Sequence, residues 1–322
     1  MKLAIAAFTD RGEALSKRIG KNVTRIGGNV TLADWTAARF SDADALLFVG
    51  AAGIAVRAIA PHIKSKASDP AVLVADEAGR FVIPILSGHL GGANALAEEI
   101  AAQLHATAVI TTATDLRGVF AVDLWAKAQG MTVLQPERIK RVSAKLLAGE
   151  TVAVDCPWPI KGVPPKGVRL GKDADVVVSV RPEETDALQL VPRCLTLGVG
   201  CRRGASEAQI EAVFRRFCEE RSVLPEAVSA AASIDRKADE AGLLAFCASH
   251  GWPVRFFAAD ELKAAEGSFS PSDFVFKTVG VDNVCERSAV CASDGALLEK
   301  KYASDGVTFA IAVTQPELNW SW

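Results

Sequence analysis

Two glycine-rich turns and one charge cluster carry the side chains best suited to chemistry. Ser87-Gly88-His89-Leu90-Gly91-Gly92-Ala93-Asn94 joins an apolar run, Phe81–Leu86, to a segment in which Ala93, Leu96, Ala97, Ile100, Ala101 and Leu104 step by three and four residues. A strand that passes through such a turn into an amphipathic helix offers backbone N–H groups and the positive end of the helix, which is an anion-binding geometry. Gly91 and Gly92 allow close approach of a carboxylate or phosphate, Asn94 caps the helix or donates to a ligand, and His89 is a general acid or base near neutral pH. An ordinary tight turn with a backbone-bonded histidine accounts for the same residues. The spacing matches neither a Walker A loop nor a dinucleotide fingerprint. Thr111-Thr112-Ala113-Thr114-Asp115 also follows a strand and precedes a helix, so its hydroxyls and Asp115 collect at the same sheet edge, either as a second cleft wall or as helix caps.

The second glycine turn is Gly198-Val199-Gly200-Cys201-Arg202-Arg203-Gly204. Its last interval is one residue too long for nicotinamide dinucleotide binding. Arg202 and Arg203 suit bidentate capture of carboxylates, or are a solvated basic turn. Cys201 has no histidine nearby in sequence and reads as a small buried hydrophobe. In Ile234-Asp235-Arg236-Lys237-Ala238-Asp239-Glu240 the residues Asp235, Lys237 and Glu240 face a cleft, or else the acids complement a helix dipole. Glu286, at a turn before a helix, carries the same two readings. His62, His105 and His250 sit at element ends, and no histidine pair has the spacing of a helical metal site.

These residues need a frame. Strands at Leu3–Phe8, Ala45–Val49, Ala71–Val74, Phe81–Leu86 and Ala108–Thr112 alternate with helices at Glu13–Ile19, Ala52–Ile59, Ala93–Leu104 and Val119–Gln129, which predicts an α/β fold with a parallel-rich sheet. From about residue 130 the texture changes to short strands, a basic helix over Glu137–Leu147 and a proline-rich loop, with Arg181–Pro192 as the expected linker. The α/β rhythm restarts at Cys194–Val199. Ser206 then caps a helix with Ile210, Val213, Phe214 and Phe217 as its buried stripe, and a helix over Asp239–Ser249 stops at Gly251. Ala296–Tyr302 and Val307–Val313 flank Ser304-Asp305-Gly306 as a terminal hairpin. The expected organisation is an N-terminal α/β domain over residues 1–130, a small middle unit and linker over 131–192, and a C-terminal α/β domain over 193–322.

Composition excludes several classes. The 322 residues are 50% hydrophobic, with 36 Lys and Arg against 38 Asp and Glu, so no whole-molecule field draws the chain to nucleic acid or an anionic membrane. The longest apolar stretch, Ala43 to Ile63, is broken by Asp44, Gly50, Gly53, Arg57 and Pro61 and is not a membrane span. The start of the chain lacks a signal-peptide pattern. Seven scattered cysteines without paired spacing point to reduced thiols and a cytoplasmic protein.

Seven strings coincide in one order: Gly53 to Pro61 (GIAVRAIAP), Lys66 to Ala71 (KASDPA), SGHLGGAN, VITTATD at 109–115, GVGCRRG at 198–204, IDRKADE at 234–240 and GVDNVCE at 280–286. Together they resemble the CbiG family, the cobalt-precorrin-5A hydrolases of cobalamin biosynthesis. The resemblance covers nearly the whole chain and is looser in the middle. One departure is Gly280–Ala289, where Asp282-Asn283 and Arg287-Ser288 stand in place of smaller residues.

The resemblance implies a hydrolase that opens the ring-A acetate δ-lactone of cobalt-precorrin-5A with water and expels the methylated bridge carbon as acetaldehyde, leaving cobalt-precorrin-5B. It implies no cofactor and no protein-bound metal, since cobalt arrives with the substrate. It gives Arg57, Lys66, Gly91, Gly92, Asn94, Arg202, Arg203 and Lys237 the common task of binding the substrate's carboxylates. His89 or Glu240 is then the base, and Asp115 orients the water or the reacting group. Transient contact with other enzymes of the pathway and a homodimer are both compatible with it. A non-catalytic carrier of a tetrapyrrole or corrinoid intermediate is the alternative.

Overall fold

The β-branched runs form strands and the three-and-four patterns form helices, eleven α-helices among the described residues, which in this computed structural model are all of the chain except 66–68, 89–90 and 112–117. Lys66, His89 and Asp115 therefore lie outside the described residues, as does the end of the strand expected over Ala108–Thr112. The chain divides into two compact units, Met1–Leu124 with Ser143–Gly149, and Trp125–Val142 with Glu150–Trp322.

The first unit holds a mixed, parallel-rich sheet of β1 (Leu3–Ala7), β2 (Val23–Arg25), β3 (Ala45–Val49), β4 (Ala71–Ala75), β5 (Phe81–Leu86) and β6 (Thr107–Ala108), in the order β2-β1-β3-β4-β5-β6. Strands β3 and β4 are buried at every position, as central strands covered on both faces must be. Alternate residues serve two cores. Ile5, Leu47 and Leu73 meet Leu96, Ala97 and Ile100, while Ala6, Leu46, Phe48 and Val72 meet Trp35, Ala55 and Ile59. The covering helices are α1 (Asp10–Ile19), α2 (Leu32–Asp42), α3 (Ala52–Ile59) and α4 (Ala93–Leu104).

Strand direction decides where the first glycine turn lies. Strands β1 to β4 are mutually parallel, but β5 runs antiparallel to β4 with Leu86 opposite Val72. The turn that follows β5 therefore leaves the sheet where β4 begins, at the edge opposite to the one where β1 and β3 release Thr9 and Gly50. Strand β6 runs parallel to β5, so the Val109–Thr111 segment heads the same way.

The chain continues through α5 (Val122–Ala128), β7 (Met131–Val133), α6 (Ile139–Leu147), β8 (Val152–Asp155), β9 (Ile160–Lys161), β10 (Val168–Leu170), β11 (Val176–Val178) and β12 (Leu188–Pro192). Five of these strands form a second sheet in the order β10-β8-β11-β12-β7, with only the β12 and β7 pair antiparallel. Here the structure corrects the expected linker. Leu188–Pro192 is an interior strand buried at every position. Buried on both faces and five residues long, it shows no alternation by which to recognise a strand.

A third sheet contains β13 (Leu195–Cys201), β14 (Val228–Ile234), β15 (Val254–Phe257), β16 (Ala296–Ser304) and β17 (Val307–Val313) in the order β15-β14-β13-β17-β16. Strands β13, β14 and β15 are parallel, and the terminal hairpin is added antiparallel. Asp305 and Gly306 take φ of 50° and 77°, the left-handed pair that a two-residue hairpin turn demands. Helices α7 (Glu207–Arg221), α8 (Ala241–Ser249), α9 (Ala259–Ala264), α10 (Asp273–Val279) and α11 (Cys285–Ser293) complete this region. Ile210, Val213, Phe214 and Phe217 of α7 are buried as the sequence pattern required. Ser206 caps α7 through Gln209 N at 3.2 Å, but the Gln209 side chain turns to Asp305 O at 2.7 Å, so only half of the capping box forms. The last strand, β18 (Leu318–Asn319), pairs with β9, and Trp320 stacks on Trp125 with ring centroids 5.2 Å apart.

Candidate functional site

The residues singled out by sequence fall into one group in each unit. In the first, Ser87 takes φ of 55°, an unfavourable region for a residue with a Cβ, and it is held there by its surroundings. Its hydroxyl donates to Asp69 O at 3.0 Å, and its carbonyl accepts from Ala93 N at 3.1 Å. Asn94 N donates to Gly88 O at 2.9 Å. Two N–H groups expected to be open to an anion at the start of α4 are thus used by the turn itself. Gly91 is required by close packing, since a Cβ there would lie 2.4 Å from Ser87 Cβ, and Gly92 supplies the left-handed N-cap of α4 at φ 83°. The Asn94 side chain lies over Gly88.

Asp69, which the sequence reading passed over, is 6% exposed and accepts from Lys64 N at 2.9 Å and Ser65 N at 3.0 Å. Its signal was an aspartate directly before a proline, a turn-forming pair. A cleft of about 390 Å³ lies beside it, lined by Phe40, Ser41, His62, Lys64 and Asp69, near the lower end of the size of small-ligand pockets. Arg57 is exposed on α3, its guanidinium 3.4 Å from Gly53 O.

In the second unit, β13 and β14 are adjacent and parallel, so the segments after Cys201 and Ile234 leave the sheet side by side at its carboxyl edge, the usual place for ligands in α/β sheets. Gly204 turns the chain at φ 75°. Glu240 is the N-cap residue of α8 and is 5% exposed. Its Oε1 accepts from Gly204 N at 2.6 Å and its Oε2 from Lys237 Nζ at 3.0 Å. The hydrogen bond from Lys237, with that from Gly204 N, holds the Glu240 carboxyl below its ordinary value despite burial. Arg202 N donates to Gly306 O at 2.8 Å, and its guanidinium reaches Gln209 Oε1 at 3.3 Å. Arg203 is outward, 3.3 Å from Asp239, with both side chains largely exposed. Burial raises the Cys201 thiol above its usual range, and Lys237 only partly offsets this, which disfavours a thiolate nucleophile.

Glu286 is fully buried and stands apart from this group. Its carboxylate accepts from Ser270 N at 2.7 Å, Ser270 Oγ at 2.8 Å and Lys301 N at 2.7 Å. It joins α11 to the loop before α10 and to the irregular middle of β16. Asp235 opens a short helical turn from which Arg236 reaches Thr278 O at 3.0 Å. His250 pairs with Glu211 at 2.7 Å and stacks on Trp252. Among the described residues no group of three His, Cys, Asp or Glu converges as a metal site. No helix among them is long and apolar enough to cross a membrane.

Comparison with known proteins covers the chain in three consecutive pieces. Residues 34–115 match the model described as Cobalamin synthesis G N-terminal, 120–192 the Cobalamin biosynthesis central region, and 195–312 the Cobalamin synthesis G C-terminus. The cobalt-precorrin-5A hydrolase of Priestia megaterium is 31% identical over 96% of this chain and 94% of its own length. The protein of the same name from Salmonella typhimurium is 36% identical over 85% of this chain and 83% of its own. A solved cobalamin biosynthesis protein G homolog from Sulfolobus solfataricus aligns over 97% of both chains at 22% identity with a TM-score of 0.39. With all three segments in order and relatives of this identity matched over most of their length, the chain belongs to the CbiG family.

Proposed function

We propose that this protein is a cobalt-precorrin-5A hydrolase. The observation that carries the reading is the 31% and 36% identity to two proteins of that name across most of each chain. Water adds to the lactone carbonyl and the ring oxygen leaves with the bridge carbon. That carbon then departs with its methyl group as acetaldehyde, and the ring-A acetate becomes a free carboxylate. The step needs a base for water, donors for the oxyanion and proton transfer during carbon–carbon cleavage.

Arg202 and Arg203, on a turn at the carboxyl edge of β13, are suited to the substrate's acetate and propionate groups. Arg57, Lys66 and the turn with Gly91, Gly92 and Asn94 serve further carboxylates in this reading. His89 is the base in this reading, and Asp115 orients the reacting group or the water. Cobalt enters as part of the substrate, and elemental analysis of the purified, substrate-free protein is expected to find no stoichiometric zinc or iron. In this reading the reaction takes place in the cytoplasm.

The deciding experiment mixes the protein with cobalt-precorrin-5A under anaerobic conditions and measures acetaldehyde. One acetaldehyde per substrate consumed is expected. Tight binding of the substrate with no acetaldehyde released makes the protein a carrier and refutes the proposal.

A further inference from the structure

We propose that Lys237 and Glu240 are positioning residues, a buried lock that fixes the Cys201–Gly204 turn so that Arg202 and Arg203 are held ready for substrate carboxylates. The inference rests on the hydrolase reading above, but its argument is geometric. Glu240 is 5% exposed and has a donor on each oxygen, Gly204 N at 2.6 Å and Lys237 Nζ at 3.0 Å. The Lys237 side chain is only 15% exposed, so its ammonium is directed to Glu240 rather than outward. A second, independent contact joins the same two elements. Gly242, in the first turn of α8, approaches the Ala205 carbonyl so closely that a Cβ would lie 1.9 Å from its oxygen.

The start of α8 and the arginine turn are therefore built as one piece. The other end of the turn is tied by Arg202 N to Gly306 O at 2.8 Å. Between these two anchors the Arg203 side chain projects outward, 71% exposed. Losing the Glu240 carboxylate frees the Gly204 end, and the arginines lose a fixed origin, which weakens capture of a polycarboxylate more than it slows chemistry. A general base, by contrast, needs an oxygen open to water or substrate and a proton affinity near the working pH. Glu240 has both oxygens engaged, and Lys237 lowers its proton affinity further.

The test compares Glu240→Gln with the double variant Lys237→Met/Glu240→Gln. The single change keeps an acceptor for Gly204 N but sets an amide N–H against the Lys237 ammonium. The double change removes that conflict and leaves no buried charge unpaired. Each is measured by acetaldehyde release from cobalt-precorrin-5A across pH. Each is also titrated by fluorescence with uroporphyrin III, an octacarboxylate macrocycle without the lactone.

Glu240→Gln is expected to raise KM about tenfold with kcat within about threefold, to leave the pH profile of kcat in place, and to be rescued to within about threefold of wild-type KM by the double variant. A loss of kcat of about a hundredfold or more in both variants, with the acidic limb of the profile gone, identifies Glu240 as the base and overturns the proposal. A wild-type KM in the single variant, or a double variant no better than the single, overturns it as well. If Glu240→Gln does not fold, Lys237→Met/Glu240→Ala, which removes the acceptor for Gly204 N together with the buried charges, decides: a KM raised about tenfold with kcat within about threefold supports the lock, and a wild-type KM or a hundredfold loss of kcat refutes it. If the wild-type protein releases no acetaldehyde, the hydrolase reading fails on its own. The lock is then judged by uroporphyrin III, whose binding must weaken in the single variant and recover in the double.

Discussion

Glu286→Gln separates a structural carboxylate from a reactive one. Glu286 has no exposed surface, and its three acceptor contacts run to Ser270 N, Ser270 Oγ and Lys301 N. In the best placement of glutamine, its oxygen takes the position that serves Ser270 Oγ and Lys301 N. Its amide nitrogen then faces Ser270 N, donor against donor. A hydrogen bond to a charged group contributes about 1.5–3 kcal/mol, so one is lost outright and two become neutral ones of about half that strength, a local cost of about 3 kcal/mol at the lower end of that range. Hydrogen exchange measured by mass spectrometry reads this directly. The amides of Ser270 and Lys301 should exchange about a hundredfold faster, since each 1.4 kcal/mol is about tenfold. Acetaldehyde release by the folded fraction should remain near wild type. Wild-type exchange at both amides together with a collapse of kcat would refute the reasoning, because Glu286 would then act on substrate without holding the fold.

Three further outcomes follow from contacts of similar clarity. Arg287 bonds Asp282 Oδ1 at 2.7 Å and also donates to Leu262 O, Lys263 O and Ala265 O while lying over the Phe269 ring. Arg287→Met should therefore lower the melting temperature by several degrees more than Asp282→Asn, and equal losses would show that the carbonyl contacts carry nothing. The Asp282 carboxyl is held below its ordinary 3.8 mainly by the Arg287 hydrogen bond. Its folded value is depressed, so its contribution is complete above about pH 4 and is lost as the pH falls through the lower folded value. The melting temperatures of wild type and Asp282→Asn should differ at pH 7 and draw together as the pH falls below about 4, and a gap that widens in acid would contradict this. Trp320 is 7% exposed, stacks on Trp125, and follows Asn319, whose carbonyl accepts from Trp125 Nε1 at 2.7 Å. Trp320→Ala should cost about 3–5 kcal/mol locally, seen as early proteolysis or exchange in Ile160–Lys161, and unchanged protection there would mean the terminal segment is not a strap.

Much of this frame was legible because periodicity and caps agreed. Helix α4, helix α7 and the terminal hairpin follow from apolar spacing, a Ser206 cap and an Asp305-Gly306 turn. Strand β2 and helix α2 escaped. The strand is three residues with none fully buried, and the helix buries only Trp35 and Thr36, so neither has an apolar stripe to read. Strand β14 is rich in alanine and serine and shows in sequence only through its end at Ile234. In the second sheet the short runs Met131–Leu134 and Thr151–Val154 on either side of the basic helix are legible and form β7 and β8, whereas β10 and β11, of three residues each, fall below any window in which alternation can be counted. At the candidate site, Lys237 and Glu240 could be paired from their spacing of three, but the bond from Gly204 to Glu240 could not. That bond exists because β13 and β14 are neighbours, a long-range fact that local pattern does not contain.

The segment Gly280–Ala289 is satisfied largely from within. Asp282 and Arg287 are each other's partners at 2.7 Å. Asn283 accepts from Glu286 N at 2.8 Å and donates to Ser270 O at 2.9 Å, fastening the same loop that the Glu286 carboxylate holds. Ser288 donates to Ala232 O at 3.2 Å, seating α11 on β14. These contacts seat α11 against β13 and β14, the strands from whose ends the arginine turn and the Glu240 segment leave. The same reasoning bears on Ser87–Asn94. Its glycines and its left-handed serine shape a turn whose first helical N–H groups are already bonded, and the reversal of β5 carries it away from the edge where β1 and β3 end. Two of the N–H groups that would open to an anion, those of Ala93 and Asn94, are therefore spent on the turn itself. Substitution of His89 and of Asn94 is therefore the informative experiment for the role proposed for that turn.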